Sequence, residues 1–145
     1  MSMVDKDVVL PRLQKLDEIL RELKRFGKFS QSEFVKDKVV RGYIERNLEL
    51  AAETIIDIGN HFIAFYRWPR PDTYKGVFEV LANEKVISKT LASKLADIAS
   101  FRNVLVHFYL KLDPLKVFKH LKNDPKPLKA FSQSIYQFMK KYGIV

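Results

Sequence analysis

The 145 residues contain no cysteine. Disulfides, zinc ribbons and thiol nucleophiles are thereby excluded, and an intracellular setting fits better than a secreted one. Glycine is scarce: Gly27, Gly42, Gly59, Gly76 and Gly143 are too few and too far apart for a P-loop or a dinucleotide fingerprint. The three histidines form no His-Glu-x-x-His pair, so a zinc site would need carboxylates to complete its shell. No apolar run approaches the roughly 20 residues that span a bilayer. At the start, Asp5-Lys6-Asp7 puts charge where a signal peptide needs its apolar stretch. These absences lead to the expectation of a cytoplasmic chain with no membrane partner, no metal and no cofactor.

What is present is positive charge and helical periodicity. Lys and Arg number 26 against 17 for Asp and Glu, a net +9. Such an excess attracts polyanions, RNA among them, although many small intracellular proteins are basic for solubility alone. The length suits one domain spanning 1–145 with a core of its own.

Leu13, Leu16, Leu20 and Leu23 recur at three- and four-residue spacing and predict an amphipathic helix from about Val4 to Arg25, ended by Gly27. Ser30 followed by Glu33 reads as a capping box. A long stripe then runs through Val35, Val39, Leu48, Ala51, Ile55, Ile58, Phe62 and Phe65, with Gly42 as a candidate break. It must stop at Trp68-Pro69-Arg70-Pro71. Asp72 and Ser88 are candidate caps for the next two helices, and Asp113-Pro114 and Asp124-Pro125 each read as an N-cap followed by proline. Gly143 ends the last helix. No strand alternation is sustained. The pattern predicts an all-α, single-domain bundle of five to six helices. Gly59, inside the long helix, costs about 1 kcal/mol against alanine and points to a close approach by another helix.

The segment Phe101 to Tyr109 concentrates chemistry. Arg102, Asn103, His107 and Tyr109 sit among Val104, Leu105, Val106 and Phe108. A buried Arg or His needs a partner or a task; a salt-bridged Arg and a hydrogen-bonded core His would satisfy that equally. Five residues turn a helix through roughly 140° and rise about 7.5 Å, so Arg102 and His107 do not share a face, whereas Arg102 and Tyr109, seven apart, do. For both to act on one phosphate, either the helix ends near His107 or a second copy contributes. Two such helices facing across a dyad would supply two Arg and two His to one cleft. Cleavage of RNA by its own 2′-OH needs that set: a base, an acid and cations for the phosphorane charge, without a metal.

Arg102-x4-His107-x-Tyr109 resembles the R-x4-H-x-Y motif of the HepT-like HEPN family, whose members are paired with small MNT-type nucleotidyltransferase antitoxins. Arg46-Asn47-Leu48-Glu49 through Asp57-Ile58-Gly59-Asn60-His61 resembles that family's long central helix, and Pro71-Asp72-x-Tyr74 to Val86-Ile87 its connector. The likeness is clear over about residues 43–110. It implies an up-and-down HEPN bundle working as a homodimer, and a metal-independent endoribonuclease toxin with a composite site at the dimer interface. Arg102 and His107 would be its catalytic pair, Asn103 a supporting residue, and Tyr109 the residue AMPylated by the nucleotidyltransferase partner. The alternative is a non-catalytic helical module that binds a nucleotide or docks the nucleotidyltransferase with the same residues.

Three further features are candidates for supporting roles. Glu49, Glu53 and Asp57 fall on nearly one line of the long helix, with His61 four residues beyond Asp57. A solvated polar face is favoured there over a metal pair, and one carboxylate, Asp57 or Glu49 in particular, is expected to hold Arg102. From Lys111 onward eight lysines face two aspartates. Most belong to a solvated surface, with Lys116, Lys119 and Lys122 as candidates for RNA phosphates. Trp68, between Arg67 and Arg70, is the candidate for stacking a base.

Overall fold

A computed structural model of the protein describes residues 4–145. Seven α-helices follow one another: α1 (Lys6–Phe26), α2 (Gln31–Lys36), α3 (Lys38–Tyr66), α4 (Tyr74–Asn83), α5 (Lys89–His107), α6 (Pro114–Asn123) and α7 (Pro125–Lys141). One 3-10 turn, Tyr109–Lys111, lies between α5 and α6, and there is no strand among the described residues. The bundle is all-α, as the periodicity predicts, with seven helices among the described residues in place of the five to six expected, because the long apolar stripe divides into α2 and α3.

The boundaries follow from local chemistry. Asp5 starts α1 by accepting from the Asp7 amide at 2.9 Å, and Ser30 and Glu33 form the reciprocal capping box of α2. Each such cap satisfies amides that the helix leaves unpaired, worth about 1 kcal/mol. The long stripe does break, but at Asp37 and not at Gly42. Asp37 turns to an extended backbone (φ −94°, ψ 95°) and caps α3 through the Val40 amide at 3.0 Å, while Gly42 stays helical. The cap of α4 is Thr73, whose hydroxyl accepts from the Gly76 amide at 3.0 Å; Asp72 lies one residue too early. Ser88 and Asp113 cap α5 and α6 as expected. Asp124 stands at the N-cap of α7 before Pro125 as expected, but its side chain makes no capping bond. It keeps a helical backbone, and its carboxylate turns back to His120 instead.

Three helices end in the same way. A residue at positive φ lets the next amide reach back to a carbonyl of the last turn: Arg67 after α3, Lys85 after α4 and Gly143 after α7. The prolines after Arg67 then rule out any resumption of α3.

α3 is the central rod. α1, α4, α5, α6 and α7 all pack against it. Phe34, Phe62, Phe78, Phe131, Leu16, Ile19, Leu23, Ile44, Ile55, Ile58, Leu81 and Leu95 are fully enclosed, each worth about 1.5–3 kcal/mol of burial. Gly59 is where α4 crosses α3: a Cβ there would lie 2.6 Å from Val77 Cγ1. Without that glycine α4 would stand further off, and Tyr74 at its first turn would move with it.

Candidate active site

α5 carries Arg102, Asn103 and His107, and it ends at His107. Phe108 leaves the helical region (φ −124°, ψ 32°), so Tyr109 belongs to the 3-10 turn. Because α5 is helical through His107, the angular offset between Arg102 and His107 remains in the single chain, and only the residues after His107 leave the helix. The same ending removes the basis for placing Tyr109 on the face of Arg102, because no helical turn connects them.

Arg102 is held from two sides. Its Nη2 donates to Glu53 Oε1 of α3 at 3.3 Å, and its Nη1 donates to the Tyr74 hydroxyl at the start of α4, also at 3.3 Å. The Arg102 side chain is 22% exposed and that of Glu53 35%, so the pair is damped by solvent but not dissolved in it. The carboxylate is therefore Glu53, and neither Asp57 nor Glu49. Successive carboxylates on this line of α3 stand about 6 Å apart along the axis, and only the middle one is level with Arg102. Glu49 is taken by Arg46 at 3.2 Å, and Asp57 is exposed. Tyr74 belongs to the connector pattern, where nothing in the sequence marks it as a partner of Arg102; the contact comes from the folding of α4 onto α3 across Gly59.

A second anchor lies one residue before the motif. The Phe101 ring stacks on the His120 imidazole at 3.9 Å with an interplanar angle of 9°. His120 Nδ1 in turn donates to both Asp124 oxygens at 2.9 Å. Burial pushes the Asp124 carboxyl up, and the bond from His120 opposes that shift. This pair seats α5 against α6 beside Arg102. The spacing of His120 and Asp124, one helical turn apart, is the signal that could have revealed it.

The His107 side chain is exposed and forms no hydrogen bond among the described residues. Asn103 is half-buried and lines a cleft of about 440 Å³ with Thr73, Tyr74, Lys75 and Ser100. Around the helix end lies uncovered apolar surface: Phe108 is 55% exposed, Tyr109 64% and Leu110 87%. A patch of this kind beside polar groups marks an interaction surface.

Of the remaining candidates, Lys116 and Lys119 are exposed on α6. Lys122 donates to the Gly27 carbonyl and lies 5.3 Å from the centre of the Phe118 ring, a structural tie between α6 and the end of α1. Trp68 is half-buried, with its indole stacked on Tyr66 at 4.8 Å and 17°. His61 is not paired with Asp57. Its Nε2 is buried without a partner, and burial, helped by Arg12 and opposed by Asp5, pulls its pKa below the ordinary histidine value. No group of three or more acidic, His or Cys side chains among the described residues is placed to hold a metal. No helix among them is long and apolar enough to cross a membrane.

Taken together, a helical bundle whose α5 presents a fixed Arg and, at its end, a free His has the architecture of HEPN proteins. The architecture matches a tri-AMPylated HEPN toxin from Shewanella oneidensis, solved in complex with its MNT antitoxin, with a TM-score of 0.81 at 21% identity over 90% of this chain and 98% of that one. It matches YutE from Bacillus subtilis, described as a cytosolic protein of unknown function, with a TM-score of 0.87 at 21% identity over 98% and 95% of the two chains. In sequence it is 27% identical over 118 residues to a tRNA nuclease HepT from Aphanizomenon flos-aquae, covering 81% of this chain and 80% of that protein. The model of the family described as Ribonuclease HepT-like matches residues 16–135, which include Glu53, Tyr74, Arg102, His107 and Tyr109. The chain belongs to the Ribonuclease HepT-like family.

Proposed function

We propose that this protein is the endoribonuclease toxin of a HEPN–MNT toxin–antitoxin pair, acting in the cytoplasm as a homodimer and without a metal. The observation that carries the proposal is the end of α5. There Arg102 is fixed by Glu53 and Tyr74, His107 stands free at the last helical residue, and the apolar residues Phe108 and Leu110 lie bare beside them. A second copy packed on that patch brings two Arg102 and two His107 residues to one cleft.

The roles then follow from the chemistry. One His107 takes the proton of an RNA 2′-OH, and the oxygen attacks the adjacent phosphorus. The bond to the 5′-oxygen breaks, and the other His107 protonates that leaving oxygen, leaving a 2′,3′-cyclic phosphate and a 5′-hydroxyl. Arg102 holds the charge that builds on the phosphorane oxygens. Asn103, next along the helix and open to the adjoining cleft, orients a phosphate oxygen. Lys116 and Lys119 attract the RNA backbone.

Tyr109 is the residue that an MNT-type nucleotidyltransferase partner AMPylates. Its exposure in a 3-10 turn outside the helix makes the hydroxyl accessible, and a protein of the same fold is known in tri-AMPylated form. The added phosphate would place bulk and negative charge at the end of α5 and repel the incoming strand.

The test is RNA cleavage by the wild type and by His107→Ala, with and without EDTA. Wild-type cleavage that survives EDTA and is lost in His107→Ala is the expected result. Cleavage that EDTA abolishes would sink the metal-free mechanism, and absence of cleavage by the wild type would leave a nucleotide-binding or docking module. Mass spectrometry after incubation with the nucleotidyltransferase and ATP, comparing wild type with Tyr109→Phe, tests the modification site.

A further inference from the structure

At the far end of α3 from the capping Asp37 lies a cleft of about 550 Å³ lined by Asn60, Ala64, Arg67, Trp68, Arg70 and Pro71. It holds two arginines and no acid. Among the described residues neither arginine forms an ion pair. The half-buried Trp68 indole stacks on Tyr66 and is one of the groups that line the cleft. The acids nearest along the chain, Asp57 before the cleft and Asp72 just after it, are both exposed and do not line it.

The cleft is tied to the Arg102 site. Glu53 and Asn60 are seven residues apart, so they lie on one face of α3 at a step of about 10 Å, and Arg67 follows at the capped end of the same helix. The loop after Trp68 folds back on the first turn of α4: a Cβ on Gly76 would lie 2.7 Å from Pro71 Cβ. That turn begins with Tyr74, whose hydroxyl accepts from Arg102. A short single-stranded segment with one phosphate at Arg102 therefore has this cleft within reach along the same side of the bundle.

We infer that the Arg67–Trp68–Arg70 cleft is a nucleotide subsite for single-stranded RNA, with a base stacked against Trp68 and a backbone phosphate between Arg67 and Arg70. The inference rests on the ribonuclease reading for its biological ligand, though not for its test. The chemistry fits the geometry. An indole already flattened against a tyrosine loses little freedom on stacking a base, and every base offers a π-face, so the subsite grips without reading sequence. Two unpaired guanidiniums supply the anion contacts, which weaken as salt rises.

Trp68 is the chain's one tryptophan, so its fluorescence reports this cleft alone. The probe is a short single-stranded DNA oligonucleotide, which has no 2′-OH and cannot be cut by the proposed mechanism. Titration should quench Trp68 saturably, and an abasic oligonucleotide should bind with little quenching. The double variant Arg67→Gly, Arg70→Gln should weaken binding by about tenfold or more at low salt. Its melting temperature should hold or rise, because glycine suits the left-handed backbone of Arg67 (φ 56°).

Three results would overturn the subsite: binding seen by anisotropy with no change in Trp68 emission, a double variant that binds as tightly as wild type, or no binding at all. The last would assign the cleft to a protein partner. Wild type that cuts RNA but shows no quenching sinks the subsite and spares the ribonuclease; quenching without any cleavage of RNA does the reverse.

Discussion

Arg102 can stabilise a phosphorane only if its guanidinium already points the right way, and Glu53 and Tyr74 provide that constraint from two different helices. Glu53→Gln keeps the size of the side chain and removes its charge. Because the pair is partly exposed, stability should change by less than about 1 kcal/mol. A guanidinium displaced by an ångström is a larger matter for catalysis, and kcat/KM should fall by about ten- to a hundredfold. RNA-cleavage kinetics alongside a urea melt would show the split; an equal loss in both would make Glu53 merely structural.

His61 raises a separate question at this scale. Its pKa is lowered chiefly by burial, so the unfolded chain binds the proton more tightly than the folded one. Stability from this group is complete above the ordinary value of 6.5 and is lost as pH falls toward the lowered folded value. Asp124, whose carboxyl is raised by burial, works in the opposite sense and is common to the wild type and to a His61 variant. Melting temperature should therefore drop between pH 7.5 and pH 5.5 in the wild type and drop less in His61→Leu. Parallel curves for the two proteins would remove His61 as the cause.

At the level of helices, two glycines of α3 have opposite meanings. Gly42 has nothing within 4 Å of where its Cβ would stand, so alanine there should stabilise by about 0.5–1 kcal/mol through helix propensity alone. Gly59 faces Val77 Cγ1 at 2.6 Å, and a valine on a helix has little rotamer freedom with which to retreat. Gly59→Ala should cost about 1–3 kcal/mol from overpacking, less the propensity gain. Denaturant melts of both variants should move in opposite directions. Gly59 was readable as a point of close approach because a mid-helix glycine is costly. The true break at Asp37 was harder to see, since an aspartate can cap a new helix as readily as it can decorate an old one.

For the whole molecule, the uncovered Phe108 and Leu110 are the strongest sign of a missing partner surface. Leu110→Glu should leave the helical content unchanged, because that side chain is 87% exposed in the single chain. In solution it should shift the protein from dimer to monomer and remove RNA cleavage with it. Light scattering at micromolar concentration decides the matter: a wild-type monomer, or a Leu110→Glu dimer with full activity, would refute a site shared between two copies.

The sequence by itself determined the all-α class, most of the helix starts and the motif residues on α5. These depend on periodicity, caps and residue chemistry within a few positions along the chain, where geometry is fixed by the helix itself. Only the tertiary structure decided that Glu53 and not its neighbours meets Arg102, that Tyr74 joins them, and that Lys122 is spent on a carbonyl of Gly27. Each of these contacts depends on how far one helix slides along another. That offset is set by the packing of side chains such as Val77 against Gly59, and a one-turn shift would have exchanged Glu53 for Glu49 or Asp57 without altering any pattern visible in the chain.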